Sequence, residues 1–189
     1  MKNELHIEIE RLARILEANG REFAPVAGVD PEKPAAAEAR LGFALDEDLK
    51  ALWLFSDGSD NAYWFSVFSD EQTLCTFPSF DEALAQWAMF LPYDARHYEE
   101  WRLFPEDHRD PRIQPVLIHR NWFPCAEFNG FSTSVQFDAD PTDKGRFGQI
   151  IVYQHDPDAV YFVAENFLEF FRMSNDRLDA HLREMDSQS

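Results

Sequence analysis

The order of elements along the sequence predicts an α+β fold: one domain with a twisted, mainly antiparallel sheet surrounded by helices. Helical periodicity dominates residues 5–55, and the pattern changes to aromatic and β-branched strands from residue 63. The later strands follow one another on short connections, which indicates antiparallel pairing. A chain of 189 residues is long enough for one domain with a proper core.

Three helices precede the first strand in this prediction. The first carries an apolar face of Leu5, Ile9, Leu12, Ala13 and Leu16 and stops at Asn19-Gly20. A proline-bearing link leads into an Ala-rich helix over residues 35–41, closed by Gly42. Asp46 is placed to cap the third helix. We expect residues 1–30 to form an N-terminal helical arm and residues 31–189 to form the α+β domain.

The rest of the chain is predicted to alternate between strands and single helices. Strands are expected over residues 63–68, 74–77, 116–118, 132–137, 149–154 and 160–163, with a loop over 121–130. Ser79 and Glu82 form a capping-box pattern that opens a helix, and a further helix is expected over 93–104. The last helix opens at Asn166. Five glycines at helix ends and turns are expected to need positive φ: Gly42, Gly58, Gly130, Gly145 and Gly148.

Charge is the strongest compositional signal. Asp and Glu number 35 against 17 Lys and Arg, for a formal net charge of −18. Such a surface repels nucleic-acid phosphates and anionic lipid, so we expect neither as a partner. Two interpretations remain open: the charge attracts a basic protein partner, or it only keeps the protein soluble.

The two cysteines and the lack of long apolar stretches indicate the cellular compartment of the protein. Cys75 and Cys125 do not form a disulfide framework or a zinc pattern. The first residues lack the apolar run of a signal peptide, and no stretch approaches the length of a membrane span. We therefore expect a cytoplasmic protein. The excess of acidic residues resists self-association, so we expect a monomer or weak dimer.

Three stretches carry short motifs in a fixed order: residues 37–53 with the following Asp57-Gly58, residues 121–151 and residues 163–171. Together they resemble the SUKH superfamily, also called the Smi/Knr family. Residues 37–53, with the following Asp57-Gly58, resemble its opening, in which a Leu-Gly turn precedes an "L-P-x-D-L" helix and a terminal "D-G". Asp46 stands where proline is usual, and both residue types suit a helix start. Residues 121–151 resemble the family's "W-x-P … G … D-x-D-P … G-x-x-G-Q" run, and residues 163–171 are similar to its closing "V-A-x-S-F-x-E-F-L".

The resemblance covers residues 34–173 and implies a protein-interaction module of α+β fold. Many bacterial members resemble immunity proteins that neutralise toxins, often nucleases, and eukaryotic relatives act as regulators of cell-wall assembly and signalling. Neither role needs a catalytic residue, so the resemblance implies a protein that is not an enzyme.

The residues themselves carry no complete catalytic or metal-binding motif. The run Asp138-x-Asp140-x-x-Asp143 resembles the start of a calcium loop but lacks the glycine at its sixth position and the glutamate at its twelfth. Asp138 and Asp140 instead suit a role in shaping the loop through backbone N–H groups. His119 fits a buried position near Trp122. We expect no catalytic residue, no metal and no cofactor.

Our hypothesis for the partner-binding surface combines acidic and aromatic residues, because aromatic rings among charges are frequent hot spots. A strand over residues 63–65 places Tyr63 and Phe65 on one face and Trp64 on the other, so one ring faces solvent or a covering helix. The predicted surface consists of Asp57, Asp60, Tyr63, Trp64, Trp122, Asp138 and Asp140. Three functions remain open. The first two are an immunity protein against a basic toxin domain and an intracellular regulatory or scaffolding module without a toxin. The third is a small-molecule-binding or enzymatic domain, which a deep and polar pocket would favour and a shallow groove would exclude.

Overall fold

The computed structural model describes residues 4–68, 72–94, 110–156 and 158–188. Within these ranges the chain forms five helices and six strands. In chain order they are α1 (Glu4–Ala18), α2 (Glu32–Leu41), α3 (Glu47–Phe55), β1 (Tyr63–Phe68), β2 (Gln72–Thr76), α4 (Phe80–Phe90), β3 (Trp122–Phe128), β4 (Thr133–Asp138), β5 (Gln149–Gln154), β6 (Ala159–Ala164) and α5 (Phe167–Gln188).

The six strands form one sheet in the order β1-β2-β3-β4-β5-β6, and each strand runs antiparallel to its neighbours. This confirms the predicted single α+β domain with an antiparallel sheet. Pairing is extensive everywhere except between β2 and β3, where Thr76 and Glu127 form the recorded pair. The sheet is therefore least continuous between its second and third strands.

Helices α1 and α5 pack against each other, and α5 also packs against β1. Four of the five residues on the apolar face predicted for the first helix are buried, with Leu12 and Leu16 no more than 1% exposed, and Ala13 is half-buried. The four buried side chains belong to the same core cluster as the sheet residues.

The division of the chain at residue 30 stays a prediction. Among the described helices, none combines the length and apolar character that crossing a bilayer requires.

Local sequence signals place several elements correctly. The Asp46 carboxylate accepts the backbone N–H groups of Asp48 and Leu49 at the start of α3, as predicted. Ser79 and Glu82 form the reciprocal hydrogen bonds of a capping box at the start of α4. Strand β5 has the bounds that its sequence predicts. The closing helix begins after Asn166 and continues unbroken past Leu182.

The predicted loop over residues 121–130 is wrong, because most of it is β3. Five consecutive residues, 122–126, are buried, so this strand shows no alternation between apolar and polar positions. Pro124 also argues against a central strand, since it cannot donate to the ladder. The register shifts between Pro124 and Ala126, and this bulge accommodates the proline.

The strand predicted over residues 116–118 is also wrong. Val116 makes a single bridge, and the residues around it form a loop. Leu117 is buried with Trp122 in a second, smaller core cluster, so its apolar character reflects packing rather than strand formation. The helix predicted over 93–104 lies outside the described residues from 95 onward; Tyr93 ends a short 3₁₀ turn.

Gly145 differs from the other glycines that were expected at positive φ. Gly58 and three of the others do adopt positive φ, with 96° at Gly58. Gly145 does not, and its requirement is steric: a Cβ there would lie 2.4 Å from the carbonyl oxygen of Arg112. The close approach of two backbones therefore replaces the predicted left-handed turn as the reason for this glycine.

Candidate functional site

A surface groove of about 520 Å³ lies where the sheet is least continuous. Its walls are the loop after α3, the start of α4 and the β3–β4 hairpin, and we call it the acidic groove. Its volume is in the range typical of ligand sites. The residues that line it are Val26, Asp57, Gly58, Ser59, Asp60, Asn61, Thr76, Phe77, Pro78, Ser79, Glu82, Ala85, Gln86, Met89, Glu127 and Phe131.

The first wall is fixed to the N-terminus of α4 by Asp57. Its Oδ1 accepts the backbone N–H of Phe80 at 2.7 Å, which satisfies a donor left open by the first turn of the helix. Gly58 follows with φ of 96°, and a Cβ there would lie 2.9 Å from the backbone nitrogen of Ser79. The Asp57-Gly58 pair thus holds the loop directly against the helix start.

The tip of this wall has an unusual backbone. Asp60 and Asn61 are exposed and have φ of 47° and 65°, a region that Asp and Asn tolerate better than most residues. Ser59 holds the base of the tip through Phe77: its N–H donates to the Phe77 carbonyl at 2.9 Å, and its Oγ accepts the Phe77 N–H at 3.0 Å. The two hydrogen bonds between Ser59 and Phe77 therefore fix the backbone next to Asp60, whose carboxylate is exposed.

The opposite wall is organised by Glu127. Its Oε1 accepts from Thr76 Oγ1 at 3.0 Å, and its Oε2 accepts the backbone N–H of Phe131 at 3.1 Å. Phe131 has φ of 71°, which is rare for an aromatic residue. The carboxylate thus holds both β2 and the hairpin in place while it contributes negative charge to the groove.

All charged side chains that line the groove, among the described residues, are negative. Four of its lining residues carry carboxylates, namely Asp57, Asp60, Glu82 and Glu127, and none of the described lining residues is Lys, Arg or His. Val26 and Met89 add apolar surface, at 37% and 55% exposure. The arrangement suits a cationic group next to an apolar one.

The structure does not bring the predicted partner-binding residues together on one surface. Asp57 and Asp60 line the acidic groove. Tyr63 is half-buried and pairs across the β1–β2 ladder with Thr76, which does line the groove. The other four residues lie elsewhere, and three of them are buried.

Trp64 is a correction to the predicted surface, because its side chain is fully buried. The register of β1 shifts between Tyr63 and Phe65, so Trp64 sits in an irregular position and the expected alternation fails. Trp64 and Phe65 both contact the ring of Phe77, at centroid distances of 5.9 and 6.0 Å. Phe23, which lies in the irregular segment before α2, also contacts Trp64, at a ring-centroid distance of 5.2 Å. The Trp64 ring therefore fills the core.

Trp122 and Asp138 are likewise buried and bind each other. Trp122 Nε1 donates to Asp138 Oδ1 at 3.0 Å, and Gln149 Nε2 donates to Oδ2 at 2.8 Å. The backbone N–H of Asp140 also donates to Oδ1, at 2.9 Å, which confirms the predicted loop-shaping role of Asp138. Burial raises the pKa of Asp138 to about 6, although these three donors oppose the shift. Asp138 and its three donors thus form a hydrogen-bond network inside the protein rather than on its surface.

Asp140 is half-buried and faces the same loop. Its Oδ2 accepts from Asn121 Nδ2 at 3.1 Å and lies 3.6 Å from His119 Nε2. The His119 side chain is 8% exposed and its ring lies 5.7 Å from that of Trp122, as its sequence position predicts. The Trp122 region is therefore a packed second centre, separate from the acidic groove.

Within the described residues, no group of three or more His, Cys, Asp or Glu side chains is placed to hold a metal ion. Cys75 and Cys125 are buried free thiols, and burial raises the pKa of each. Neither thiol lines the groove.

Sequence reasoning missed Gln86, Met89, Glu127 and Phe131. For Glu82 the sequence predicts only a role in capping α4. Gln86 and Met89 follow Glu82 at positions i+4 and i+7, so a helical projection of α4 places all three on the same face. Glu127 reaches the groove only because residues 122–128 are a strand, and that strand was not predicted.

Comparison with known proteins agrees with the resemblance seen in the sequence. A curated relative described as a KNR4/SMI1 homolog, from Yarrowia lipolytica (strain CLIB 122 / E 150), is 26% identical over 91 residues. That stretch is 48% of this chain and 13% of the relative. The sequence model of the SMI1 / KNR4 family (SUKH-1) matches residues 28–173. Since that match covers more than half of the chain, the chain belongs to the SMI1/KNR4 family, SUKH-1.

Proposed function

We propose that this chain is a non-catalytic protein-binding module, and that it acts as an immunity protein that binds and blocks a basic bacterial toxin domain. The observation that carries the proposal is the acidic groove, with four carboxylate residues and no basic residue among its described lining. The formal net charge of the molecule, −18, has the same sign as the groove. Opposite charge accelerates encounter with a basic partner and disfavours acidic ones.

The groove favours binding over catalysis because three of its four carboxylates already have structural partners. Asp57 caps α4, Glu82 completes the capping box, and Glu127 joins β2 to the hairpin. These bonds fix the carboxylates in place and leave their charge facing the groove. No histidine or cysteine lines the groove, within the described residues, to act as a base or nucleophile beside them.

The second candidate is a regulatory or scaffolding module without a toxin partner. The match to a fungal relative described as a KNR4/SMI1 homolog favours it. Both candidates are binding functions of an intracellular protein, and they differ in the identity of the partner rather than in the chemistry of the surface.

Affinity capture tests the proposal. The tagged full-length chain is used as bait in a lysate of its own source organism, at low and then at moderate salt. We expect one basic, toxin-like polypeptide retained at one-to-one stoichiometry, with weaker retention at moderate salt. Recovery of envelope or housekeeping proteins would support the regulatory candidate instead, and recovery of nothing at either salt would contradict the immunity function.

A pair of charge variants ties the capture to the groove. The double variant Asp60→Asn with Glu82→Gln removes two groove charges, and Asn suits the positive φ at position 60. The matched control, Glu17→Gln with Glu184→Gln, removes two exposed charges on α1 and α5. We expect the groove variant alone to lose the partner. Equal loss in both variants would mean that net charge, rather than the groove, drives the interaction.

A further inference from the structure

Gln86 gives the groove a specific chemical feature beyond its charge. It lies on α4, lines the groove and is 2% exposed. Its Nε2 donates to Ser134 Oγ at 3.3 Å. Its Oε1 has no hydrogen-bond partner among the residues that the structure describes. A buried carbonyl oxygen without a donor carries an uncompensated desolvation cost, so this position favours a donor supplied by a ligand.

The surroundings select the kind of donor. Four carboxylate residues line the same groove, so a cationic donor is attracted and an anionic one is repelled. Arginine and lysine are the side chains that combine positive charge with hydrogen-bond donors only. Arginine fits better, because its planar guanidinium offers five donors and can contact a carboxylate and an amide oxygen together.

The apolar part of the groove indicates what flanks that cation. Met89 and Val26 are partly exposed, and Phe131 is half-buried on the hairpin. A flexible Met side chain adapts to apolar groups of different shapes. A peptide in which arginine lies next to apolar residues would therefore match both the charge and the apolar surface of the groove.

We infer that the acidic groove holds a short basic segment of a protein partner, with an arginine side chain that donates to Gln86 Oε1. This inference rests on the proposed function for the existence of a protein partner and goes further by naming the recognised group and its acceptor. Entry of the guanidinium requires a small rotation of the Gln86 side chain, because Oε1 is buried in the unbound protein.

Peptide titration tests the inference with the full-length chain. The probe is a fluorescein-labelled heptapeptide with one central arginine flanked by leucines, and anisotropy reports its binding. In one comparison peptide citrulline replaces the arginine and removes the charge but keeps the shape; in the other, lysine replaces it. We expect the arginine peptide to bind roughly tenfold more tightly than the citrulline peptide, with the lysine peptide between them.

Three protein variants separate recognition by Gln86 from a merely structural role. Gln86→Leu removes the acceptor, and we expect it to weaken binding of the arginine peptide by about tenfold. Ser134→Ala removes the partner of Nε2 but leaves Oε1, so we expect near-unchanged affinity. Glu17→Gln, outside the groove, should also leave the affinity unchanged. Thermal unfolding of each variant confirms that the protein titrated is folded.

Equal binding of the arginine and citrulline peptides would overturn the inference, as would equal effects of Gln86→Leu and Ser134→Ala. Absence of saturable binding by the arginine peptide would overturn it too. The proposed function survives that last result if affinity capture still yields a one-to-one basic partner. Conversely, peptide binding through Gln86 with no captured partner would support the inference and remove the immunity function.

Discussion

Asp57 and Phe80 are joined by a 2.7 Å hydrogen bond in which the Phe80 backbone N–H donates to Asp57 Oδ1. The bond connects the loop after α3 to the first residue of α4, and both elements form walls of the acidic groove. One carboxylate thus links the folding of a helix terminus to the shape of the candidate site.

Replacement of Asp57 by Ala is expected to lower the free energy of unfolding by about 1 kcal/mol, because the Phe80 N–H loses its acceptor at a helix terminus. Urea unfolding at neutral pH measures the loss. Asp60→Asn is the control from the same loop: Asp60 is exposed and Asn accepts its positive φ, so the change should stay within about 0.5 kcal/mol. Equal losses in the two variants would contradict the capping role.

Trp53 is expected to be among the residues most important for stability. Its ring is fully buried against Phe77 and Phe80, each at a centroid distance of 5.1 Å, and its Nε1 donates to the Pro78 carbonyl at 3.0 Å. Trp53→Ala should cost about 3–5 kcal/mol. Leu54→Ala, at the neighbouring but 42% exposed position, should change stability by roughly 0.5 kcal/mol or less. Similar losses of unfolding free energy in the two variants would contradict the burial of the Trp53 ring.

Asp138 is expected to titrate near pH 6 in the folded protein, well above an ordinary aspartate. Burial raises its pKa from 3.8 to about 6, so between these values the folded state binds more protons than the unfolded state. The contribution of Asp138 to stability is therefore largest below about pH 4 and falls as pH rises toward 6, by about 3 kcal/mol in total. The ¹³C carboxyl shift of Asp138, followed by NMR, measures the midpoint directly.

A midpoint at or below pH 4 would contradict this prediction and would mean that the three donors to Asp138 outweigh its burial. The variant Asp138→Asn serves as the control for stability. The difference in unfolding free energy between wild type and variant should depend on pH between 4 and 6 and become constant at higher pH.

Both cysteines are expected to resist thiol reagents in the native protein. Cys75 and Cys125 are fully buried, and burial raises the pKa of each thiol, so little thiolate is present at neutral pH. Labelling with Ellman's reagent should be slow in buffer and release two thiols in denaturant. Rapid labelling of the native protein would contradict the packing of β2 and β3.

The sequence predicted those elements whose signal is local. The Asp46 cap, the Ser79–Glu82 capping box and strand β5 depend on residues close together in the chain, and all three are confirmed. The prediction for Trp64 is wrong because a bulge interrupts the alternation of β1, and no glycine in residues 63–65 marks that bulge in the sequence. Strand β3 was missed because burial on both faces removes its periodicity and Pro124 imitates a loop.

Local sequence signals also explain why only some residues of the acidic groove appear in the predicted surface. Asp57 and Asp60 stand out in the sequence because they surround a glycine turn next to aromatic residues. Gln86 and Glu127 join them only through the packing of α4 and β3 across the weakly paired part of the sheet. Such long-range proximity depends on the tertiary fold, so no spacing rule would have grouped these residues.

Amide hydrogen exchange on the complex with the captured partner tests whether the acidic groove is the binding surface, because it maps that surface without any substitution. We expect protection at residues 57–61 and 127–131, which form the two walls of the acidic groove, and little change on the exposed face of α1. Protection confined to α1, α5 or the loop around Asp140, with the groove residues unchanged, would contradict the assignment of the groove as the binding site.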